Sequence, residues 1–209
     1  MRIFVTGTDT DVGKTTICSW LCLHTNYAYL KPIQTGGPLY SDTQKVRELS
    51  EVITYEETYT FAEPVSPHLA AKLEHSYIDV DKIKLPADTN NLIVEGAGGL
   101  YVPLNDDLMM IDLIQKLNIP VILVARTSLG TINHTLLSLN ALRQREIPIL
   151  GIILNGPNNE PNRRAIEFYG KQKVLATFPE IPELSKRKLL DVELSEKLKE
   201  LFDIPYHGG

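Results

Sequence analysis

The recurrence of short apolar segments, rich in β-branched residues and interspersed with helical patterns, constrains the fold of this chain more than any other feature. Six such segments predict strands, at residues 2–6, 27–31, 92–95, 121–125, 150–155 and 174–177. Helical patterns lie between or after them, at residues 15–24, 42–50, 109–117, 132–146, 163–170 and 193–201. Three strand segments are almost continuously apolar, which indicates strands covered by helices on both faces. We therefore expect a doubly wound, mostly parallel α/β sheet of about six to seven strands, whose ligands bind beyond the carboxyl ends of the strands.

Composition and charge narrow the class of protein. The 209 residues are 43% hydrophobic and 22% charged, and 21 Lys and Arg against 26 Asp and Glu give a net charge of −5. This acidic balance argues against nucleic acid or an anionic membrane as the main partner. We expect one cytoplasmic domain over residues 1–209, without a leader or a membrane span, because a strand begins directly after Met1 and no apolar run reaches about 18 residues. Cys18 and Cys22 are expected to be buried thiols.

The first predicted strand leads into the segment GTDTDVGKTT at residues 7–16, and a helical pattern follows. This layout is typical of a P-loop nucleoside triphosphatase fold. Backbone N–H groups and the helix N-terminus surround a polyphosphate, Lys14 contacts its outer phosphates, and the Thr15 hydroxyl can ligate Mg²⁺. The strict pattern has glycine where this chain has Thr8, and Gly7 lies one position earlier. A helix cap rich in Thr and Asp is the alternative, but the coincidence of strand, Gly-Lys-Thr and helix favours nucleotide binding.

Polar residues at other predicted strand ends and helix starts narrow the chemistry. Lys31 ends the second strand, where it could join Lys14 in neutralising a transferring phosphoryl group. The alternative for Lys31, if this segment is taken alone, is that it is a solvated lysine before a turn at Pro32 and has no catalytic role. Asp42 begins a helix, either as a first-turn acid or as a magnesium ligand. Glu95 follows an apolar run beside the phosphate loop, as the metal-serving carboxylate of such folds does.

Several segments together resemble the dethiobiotin synthetase family. They lie at residues 7–15, 31–36, 61–68, 94–99, 120–124, 129–134, 151–155 and 180–182, in the order found in that family. The loop Gly-Thr-Asp-Thr-x-Val-Gly-Lys-Thr with its displaced glycine and the segment Phe-Ala-Glu-Pro-x-Ser-Pro-His are specific to the family. The resemblance implies an ATP- and magnesium-dependent ligase that forms dethiobiotin from 7,8-diaminononanoate and carbon dioxide, with release of ADP and phosphate.

The resemblance also implies roles for individual residues. Lys31 would be the catalytic lysine, and Thr15, Asp42 and Glu95 would hold Mg²⁺. Thr10 and Thr35 would contact the diamine or its carbamate. ATP would be bound by Asp11, Val12, Gly13, Lys14, Thr15, Thr16, Asp42, Glu95, Gly96, Ala97, Gly98, Asn155, Gly156, Pro182, Glu183 and Leu184.

The start of the helix predicted near residue 132 is implied to complete the active site of a homodimer. Thr131 and Asn133 at this helix start would bind the substrate carboxylate from the partner subunit, since free N–H groups there favour anions. An ordinary helix cap by Ser128 or Thr131 is equally compatible with the sequence. The segment 61–68 is implied to be flexible and to lie beside the substrate.

The implied base-binding region departs from the family pattern. Asn155 would pair with the adenine edge. Relatives often carry an acidic residue near Leu189, whereas this chain has the basic run Lys186-Arg187-Lys188, which is expected to be solvated. The preference for ATP over other nucleotides is therefore open. The Gly-Gly end of residues 206–209 predicts an unordered tail.

Two other classes of P-loop protein are alternatives. Switch ATPases of the chromosome-partitioning type usually carry an extra lysine early in the loop, where this chain has Thr8, Asp9 and Thr10. They also tend to expose a basic or amphipathic surface, which this sequence does not indicate. Enzymes that amidate corrinoids need a glutaminase region with a nucleophilic cysteine, for which this chain has no room.

Overall fold

The computed structural model describes residues 1–37 and 41–205. The strands are β1 Arg2–Gly7, β2 Ala28–Leu30, β3 Ile33–Thr35, β4 Thr54–Tyr55, β5 Tyr59–Phe61, β6 Leu92–Gly99, β7 Val121–Arg126, β8 Ile149–Asn155 and β9 Val174–Phe178. The helices are α1 Lys14–Thr25, α2 Asp42–Ser50, α3 Pro67–Leu73, α4 Met110–Leu117, α5 Thr131–Gln144, α6 Glu160–Gly170, α7 Lys186–Leu190 and α8 Glu196–Leu201. The predicted unordered tail, residues 206–209, lies outside the described residues.

A seven-stranded sheet forms the centre of the molecule. Its order is β4-β2-β6-β1-β7-β8-β9, and every neighbouring pair is parallel. The prediction of a parallel, doubly wound sheet is confirmed. The remaining strands, β3 and β5, form a separate parallel pair beside it. The sequence prediction did not include β3, β4 or β5, which have only two or three residues each.

Alternating side chains on the strands divide the core between the two faces of the sheet. On β1, Phe4 packs on the face that carries α3, α4 and α5, whereas Ile3 and Val5 pack on the face that carries α1, α2, α7 and α8. A third cluster joins β7 and β8 to α5 and α6. Trp20 of α1 is buried, and its indole N–H donates to the carbonyl of Val192 at 2.7 Å. Both faces are thus covered, as the continuous apolar strands require.

Several helix boundaries differ from the sequence prediction. The helix predicted from residue 163 begins at Glu160, because the Asn159 side chain caps it by accepting from the N–H of Asn162. The helix predicted from residue 193 begins at Glu196, where Ser195 is the cap. The segment 61–68, predicted to be flexible, has its two ends in β5 and α3. Within residues 1–37 and 41–205, no helix has both the length and the apolar character needed to cross a membrane.

Candidate functional site

The turn between β1 and α1 is shaped by two glycines. A Cβ atom on Gly7 would lie 2.6 Å from the Val12 side chain and 2.9 Å from the carbonyl of Asp9, so only glycine allows this close approach. Gly13 has φ +91°, which side chains rarely adopt, and it caps α1 without a side-chain hydrogen bond to the helix. The first N–H groups of α1 therefore face a turn that can receive phosphate oxygens.

Lys14 and Thr15 open α1 and point in two directions. The Lys14 ammonium is buried and donates to the carbonyl of Asp9 in the loop at 3.0 Å. Burial lowers the pKa of Lys14; the nearby Glu95 opposes this shift and the like charge of Lys31 adds to it. The Thr15 hydroxyl donates to Glu95 Oε1 at 2.8 Å. The helix start thus connects the loop directly to β6.

Lys31, just after β2, bridges two carboxylates from other elements. Its ammonium donates to Glu95 Oε1 at 3.1 Å and to the carboxylate of Asp42, the first residue of α2. Burial works against the charge of Lys31, but Glu95 and Asp42 together outweigh it and raise the pKa above its ordinary value. Burial likewise works against the charge of Asp42, but the Lys31 ammonium outweighs it and holds the pKa of Asp42 below its ordinary value. Lys31 and Asp42 are therefore charged at neutral pH.

Glu95 lies at the carboxyl end of β6 and is only 1% exposed. Its Oε2 accepts a hydrogen bond of 2.8 Å from the hydroxyl of Tyr29, a fully buried residue of β2. Its Oε1 accepts from Thr15 and Lys31. A buried carboxylate would be costly without such partners, and here donors from β2, from α1 and from the residue after β2 satisfy it.

One cavity of about 620 Å³ at the carboxyl ends of β1, β2 and β6 is lined by Lys14, Thr15, Lys31, Asp42 and Glu95. It brings together twelve residues predicted from the sequence: Thr10, Asp11, Gly13, Lys14, Thr15, Thr16, Lys31, Thr35, Asp42, Glu95, Ala97 and Gly98. Residues 64–67 also line it, which puts part of the segment 61–68 beside the predicted substrate position. The cavity has three lysines and three carboxylates on its walls, since Lys45 and Asp11 add to the groups described above.

Other predicted nucleotide residues lie outside the lining of this cavity. Val12 is buried in the core beneath the loop, and Gly96 packs its backbone on the ring of Phe4. The Asn155 amide donates to the carbonyl of Val12 at 2.9 Å, so Asn155 contacts the loop from behind. Gly156 lines a separate groove of about 360 Å³ beside α6. The carbonyls of Pro182 and Glu183 accept from the ammonium of Lys188.

The cap of α5 is neither Ser128 nor Thr131, the two residues that the sequence suggested. The cap is Gly130, with φ +93° and no side-chain hydrogen bond to the helix. The Thr131 hydroxyl donates to the carbonyl of Arg126 rather than capping α5, and Asn133 is exposed. Neither residue lines the 620 Å³ cavity of its own chain. Their predicted role requires a partner subunit and stays a prediction.

Sequence reasoning missed Lys45, Gln34 and Val102 on the cavity wall and Tyr29 beside Glu95. Lys45 lies on α2 one turn after Asp42, and this i, i+3 spacing was the available signal. Gln34 of β3 lines the cavity, and its Oε1 accepts from the backbone N–H of Asp42 at 3.1 Å. Tyr29 gave no signal, because a tyrosine in an apolar strand is usually a core residue.

The donor set suits a magnesium–nucleotide complex. In the described parts of the chain no three His, Cys, Asp or Glu side chains form a metal cluster. Magnesium at nucleotide sites, however, needs only one or two carboxylates and completes its shell with phosphate oxygens and water. Thr15, Asp42 and Glu95 supply three hard oxygen donors, and the Thr15 hydroxyl interacts with both carboxylates.

Comparison with known proteins gives a consistent assignment. A family model described as an AAA domain matches residues 1–188. An ATP-dependent dethiobiotin synthetase BioD from Lawsonia intracellularis is 48% identical over 202 residues, which cover 97% of this chain and 99% of that protein. A protein of the same name from Neorickettsia sennetsu is 41% identical and covers 97% of this chain and 96% of its own length.

Solved structures agree at the level of fold. A ParA family ATPase from Chlorobium tepidum has a TM-score of 0.57 at 13% identity and covers 98% of this chain and 94% of its own. The cell division ATPase MinD from Pyrococcus furiosus has a TM-score of 0.57 at 14% identity, and the match covers 96% of this chain and 99% of the MinD chain. The near-complete coverage at 41–48% identity, together with the P-loop site, decides the family. The chain belongs to the ATP-dependent dethiobiotin synthetase family.

Proposed function

We propose that this protein closes the cyclic urea of dethiobiotin from 7,8-diaminononanoate, carbon dioxide and ATP, with release of ADP and phosphate. The observation that carries the proposal is the convergence of two buried lysines, Lys14 and Lys31, with the oxygen donors of Thr15, Asp42 and Glu95 on one cavity. The names of the two relatives support the same reaction.

The reaction explains why such a site is needed. One amine of the substrate adds to carbon dioxide and gives a carbamate. Urea formation must then expel a carbamate oxygen, which is a very poor leaving group as oxide. Transfer of the γ-phosphoryl group to that oxygen gives a carbamic-phosphoric anhydride and ADP. The second amine attacks the carbonyl carbon, phosphate departs with the oxygen, and the amine protons are released.

We assign the main catalytic role to Lys31. Carbamate and triphosphate are both anions, so their approach requires convergent positive charge. The pKa of Lys31 is raised, because Glu95 and Asp42 outweigh the effect of burial, and the ammonium therefore stays charged at neutral pH. Lys14, at the start of α1, would hold the β- and γ-phosphates. The protein then contributes position and charge, and little proton transfer.

Magnesium would be held by Thr15, Asp42 and Glu95. When bound, it neutralises charge on the β- and γ-phosphate oxygens. The protein orients these donors through the hydrogen bond from Thr15 to Glu95 and through Gln34, which fixes the start of α2 at Asp42. Thr10 and Thr35, which line the cavity, would contact the diamine or its carbamate.

A homodimer would complete the site, with Thr131 and Asn133 of the partner binding the substrate carboxylate. Exposed apolar side chains near this helix start support a second copy as the partner: Leu129 is fully exposed, and Leu137 and Tyr101 are 61% and 59% exposed. A cavity of about 490 Å³, lined by α5 and by Thr8 and Asp9 of the loop, lies beside them. We further propose one cytoplasmic domain over residues 1–209, with ATP as co-substrate and adenine bound near Asn155 and residues 182–184.

The test is phosphate release from Mg-ATP and bicarbonate, with and without 7,8-diaminononanoate. We expect release to depend on the diamine in the wild type. Lys31→Met is expected to lower kcat about 10²- to 10³-fold, since one preorganised charge is lost from the transition state. Lys84→Met, at an exposed lysine, should retain wild-type activity.

ADP titration and the thermal unfolding temperature establish that Lys31→Met is folded, because this variant leaves two carboxylates without their ammonium. Phosphate release that does not depend on the diamine, in the wild type and the variant alike, would contradict the proposed ligase activity. Stimulation by DNA or lipid would instead indicate a partitioning ATPase.

A further inference from the structure

We propose that Tyr29 is a positioning residue that fixes the carboxylate of Glu95 for the magnesium–nucleotide complex. The inference rests on the proposed function, because it gives Tyr29 a task at the same site. Tyr29 lies outside the lining of the cavity, and the sequence patterns and the family resemblance gave it no role.

The register of the sheet brings the two residues together. β2 and β6 are adjacent and parallel, and Tyr29 pairs with Ile93. Glu95 lies two positions further along β6, on the same face of the sheet as Ile93, since side chains alternate along a strand. The phenol ring therefore reaches diagonally toward the carboxyl end of the sheet, and its hydroxyl comes to 2.8 Å from Glu95 Oε2.

The two oxygens of Glu95 have different partners. Oε2 accepts from Tyr29 on the buried side, whereas Oε1 accepts from Thr15 and Lys31, which line the cavity. The hydrogen bond from Tyr29 thus holds one carboxylate oxygen on the buried side and leaves the other facing the cavity. It also fixes the rotation of the carboxylate group, because both ends are held by directional donors.

Burial means that water cannot replace this hydroxyl. Tyr29 is 0% exposed and Glu95 is 1% exposed. Phenylalanine at position 29 would keep the ring and its packing and would remove only the donor. The carboxylate would then lose its partner on Oε2 and could turn away from the orientation that presents Oε1 to the cavity. Substitution of a residue that holds a metal ligand in this way typically lowers metal affinity by 10- to 100-fold.

The experiment measures ADP affinity as a function of Mg²⁺ concentration, from excess EDTA to saturating metal, for wild type, Tyr29→Phe and Tyr27→Phe. Tyr27 is a matched control, because it is 8% exposed and packs edge-on against Phe202 at 5.2 Å between ring centres. We expect Tyr29→Phe to bind ADP normally in EDTA. The Mg²⁺ concentration that gives half of the metal-dependent gain in affinity should rise about tenfold. Tyr27→Phe should match the wild type.

A merely structural role for Tyr29 predicts a different result. Tyr29→Phe would then have a lower unfolding temperature and an unchanged Mg²⁺ midpoint, which overturns the proposal. Titrations are run at 10 °C, below the unfolding transition that circular dichroism locates for each variant. In a Glu95→Gln background, Tyr29→Phe should cause no further shift, and an additional shift there would show that Tyr29 acts independently of the Glu95 carboxylate and overturn the proposal.

The same measurements separate this inference from the proposed function. If the wild type releases phosphate without regard to the diamine, the ligase proposal fails. The Mg²⁺ midpoints of Tyr29→Phe and Tyr27→Phe would still decide whether Tyr29 positions Glu95. If diamine-dependent release is intact and the two midpoints agree, the role of Tyr29 fails alone. As a second readout, kcat of Tyr29→Phe should fall while KM for the diamine stays unchanged.

Discussion

Gly13 combines two constraints at a single residue. Its φ of +91° excludes most side chains, and a Cβ atom there would lie 2.0 Å from Asn155 Nδ2. The Asn155 amide in turn holds the carbonyl of Val12 at 2.9 Å. The phosphate loop is therefore fixed from behind by a residue 142 positions later in the chain, and the free N–H groups of α1 face the cavity as a result.

This arrangement predicts the effect of Gly13→Ala. We expect a loss of about 1–3 kcal/mol in the free energy of unfolding, because alanine is strained at this backbone conformation and its Cβ meets Asn155. ADP affinity should fall more than tenfold, since the loop must move. Urea unfolding and ADP titration measure the two effects.

The double variant Gly13→Ala/Asn155→Ala separates the two causes. Removal of the Asn155 side chain relieves the steric contact and leaves the backbone strain, so part of the lost stability should return when the double variant is compared with Asn155→Ala. Wild-type ADP affinity in Gly13→Ala would contradict this account of the loop.

At the scale of elements, α1 serves the site and the core at once. Its first turn carries Lys14 and Thr15, whereas the following turns bury Cys18, Trp20 and Cys22 against the sheet. Burial raises the pKa of both cysteines above the ordinary value of 9.0, and the nearby Glu95 adds to the effect. The thiols must therefore stay protonated while α1 is packed on the sheet.

The raised cysteine pKa values predict sensitivity to alkaline pH. Above about pH 9 the unfolded chain releases these protons while the folded protein keeps them, so the free energy of unfolding falls as pH rises. Each thiol contributes up to about 1.4 kcal/mol per pH unit between its unfolded and folded pKa values. Below pH 9 both states are protonated and the contribution is constant.

Urea unfolding of the wild type and Cys22→Ala in reducing buffer, from pH 7 to pH 10.5, tests this expectation. The variant should be less stable at pH 7, because a buried side chain is shortened, and should lose stability less steeply above pH 9. Equal slopes above pH 9 would show that Cys22 does not contribute to the pH dependence.

At the scale of the whole molecule, strand order assembles the site. β6 lies between β2 and β1 in the sheet although it follows both in the chain, and this places Glu95 between Lys31 and Lys14. The adjoining face of α5 exposes Leu137, next to the cavity that we assign to the dimer. One chain thus carries the lysines and carboxylates of the site, and it exposes apolar side chains on the face where we propose a second copy.

The proposed dimer predicts that Leu137→Asp is a monomer, since a charge would be buried at the interface. Analytical ultracentrifugation measures the oligomeric state, and KM for the diamine should rise because the partner's helix start is lost. Leu73→Asp is the control, at a residue of α3 that is 54% exposed. A monomeric variant with unchanged KM would contradict a contribution from the partner subunit.

The sequence was most informative where local patterns are sufficient. The spacing of strand, loop and helix identified Gly13, Lys14 and Thr15, because periodic burial and helix capping act within a few residues. Apolar runs located the six main strands of the sheet, and a carboxylate at the end of one of them identified Glu95. The same patterns missed the short helices α3 and α7 and the strands β3, β4 and β5, which have two or three residues each.

The sequence by itself determined the class of fold and, except for Lys45, the residues that carry charge into the site. The tertiary structure decided which of these residues meet: Lys31 bridges Asp42 and Glu95, Tyr29 holds Glu95, and Asn155 contacts the phosphate loop. These contacts join residues 11 to 143 positions apart in the chain. Strand order and register create them, and both result from burying all apolar faces at once, which no local pattern encodes.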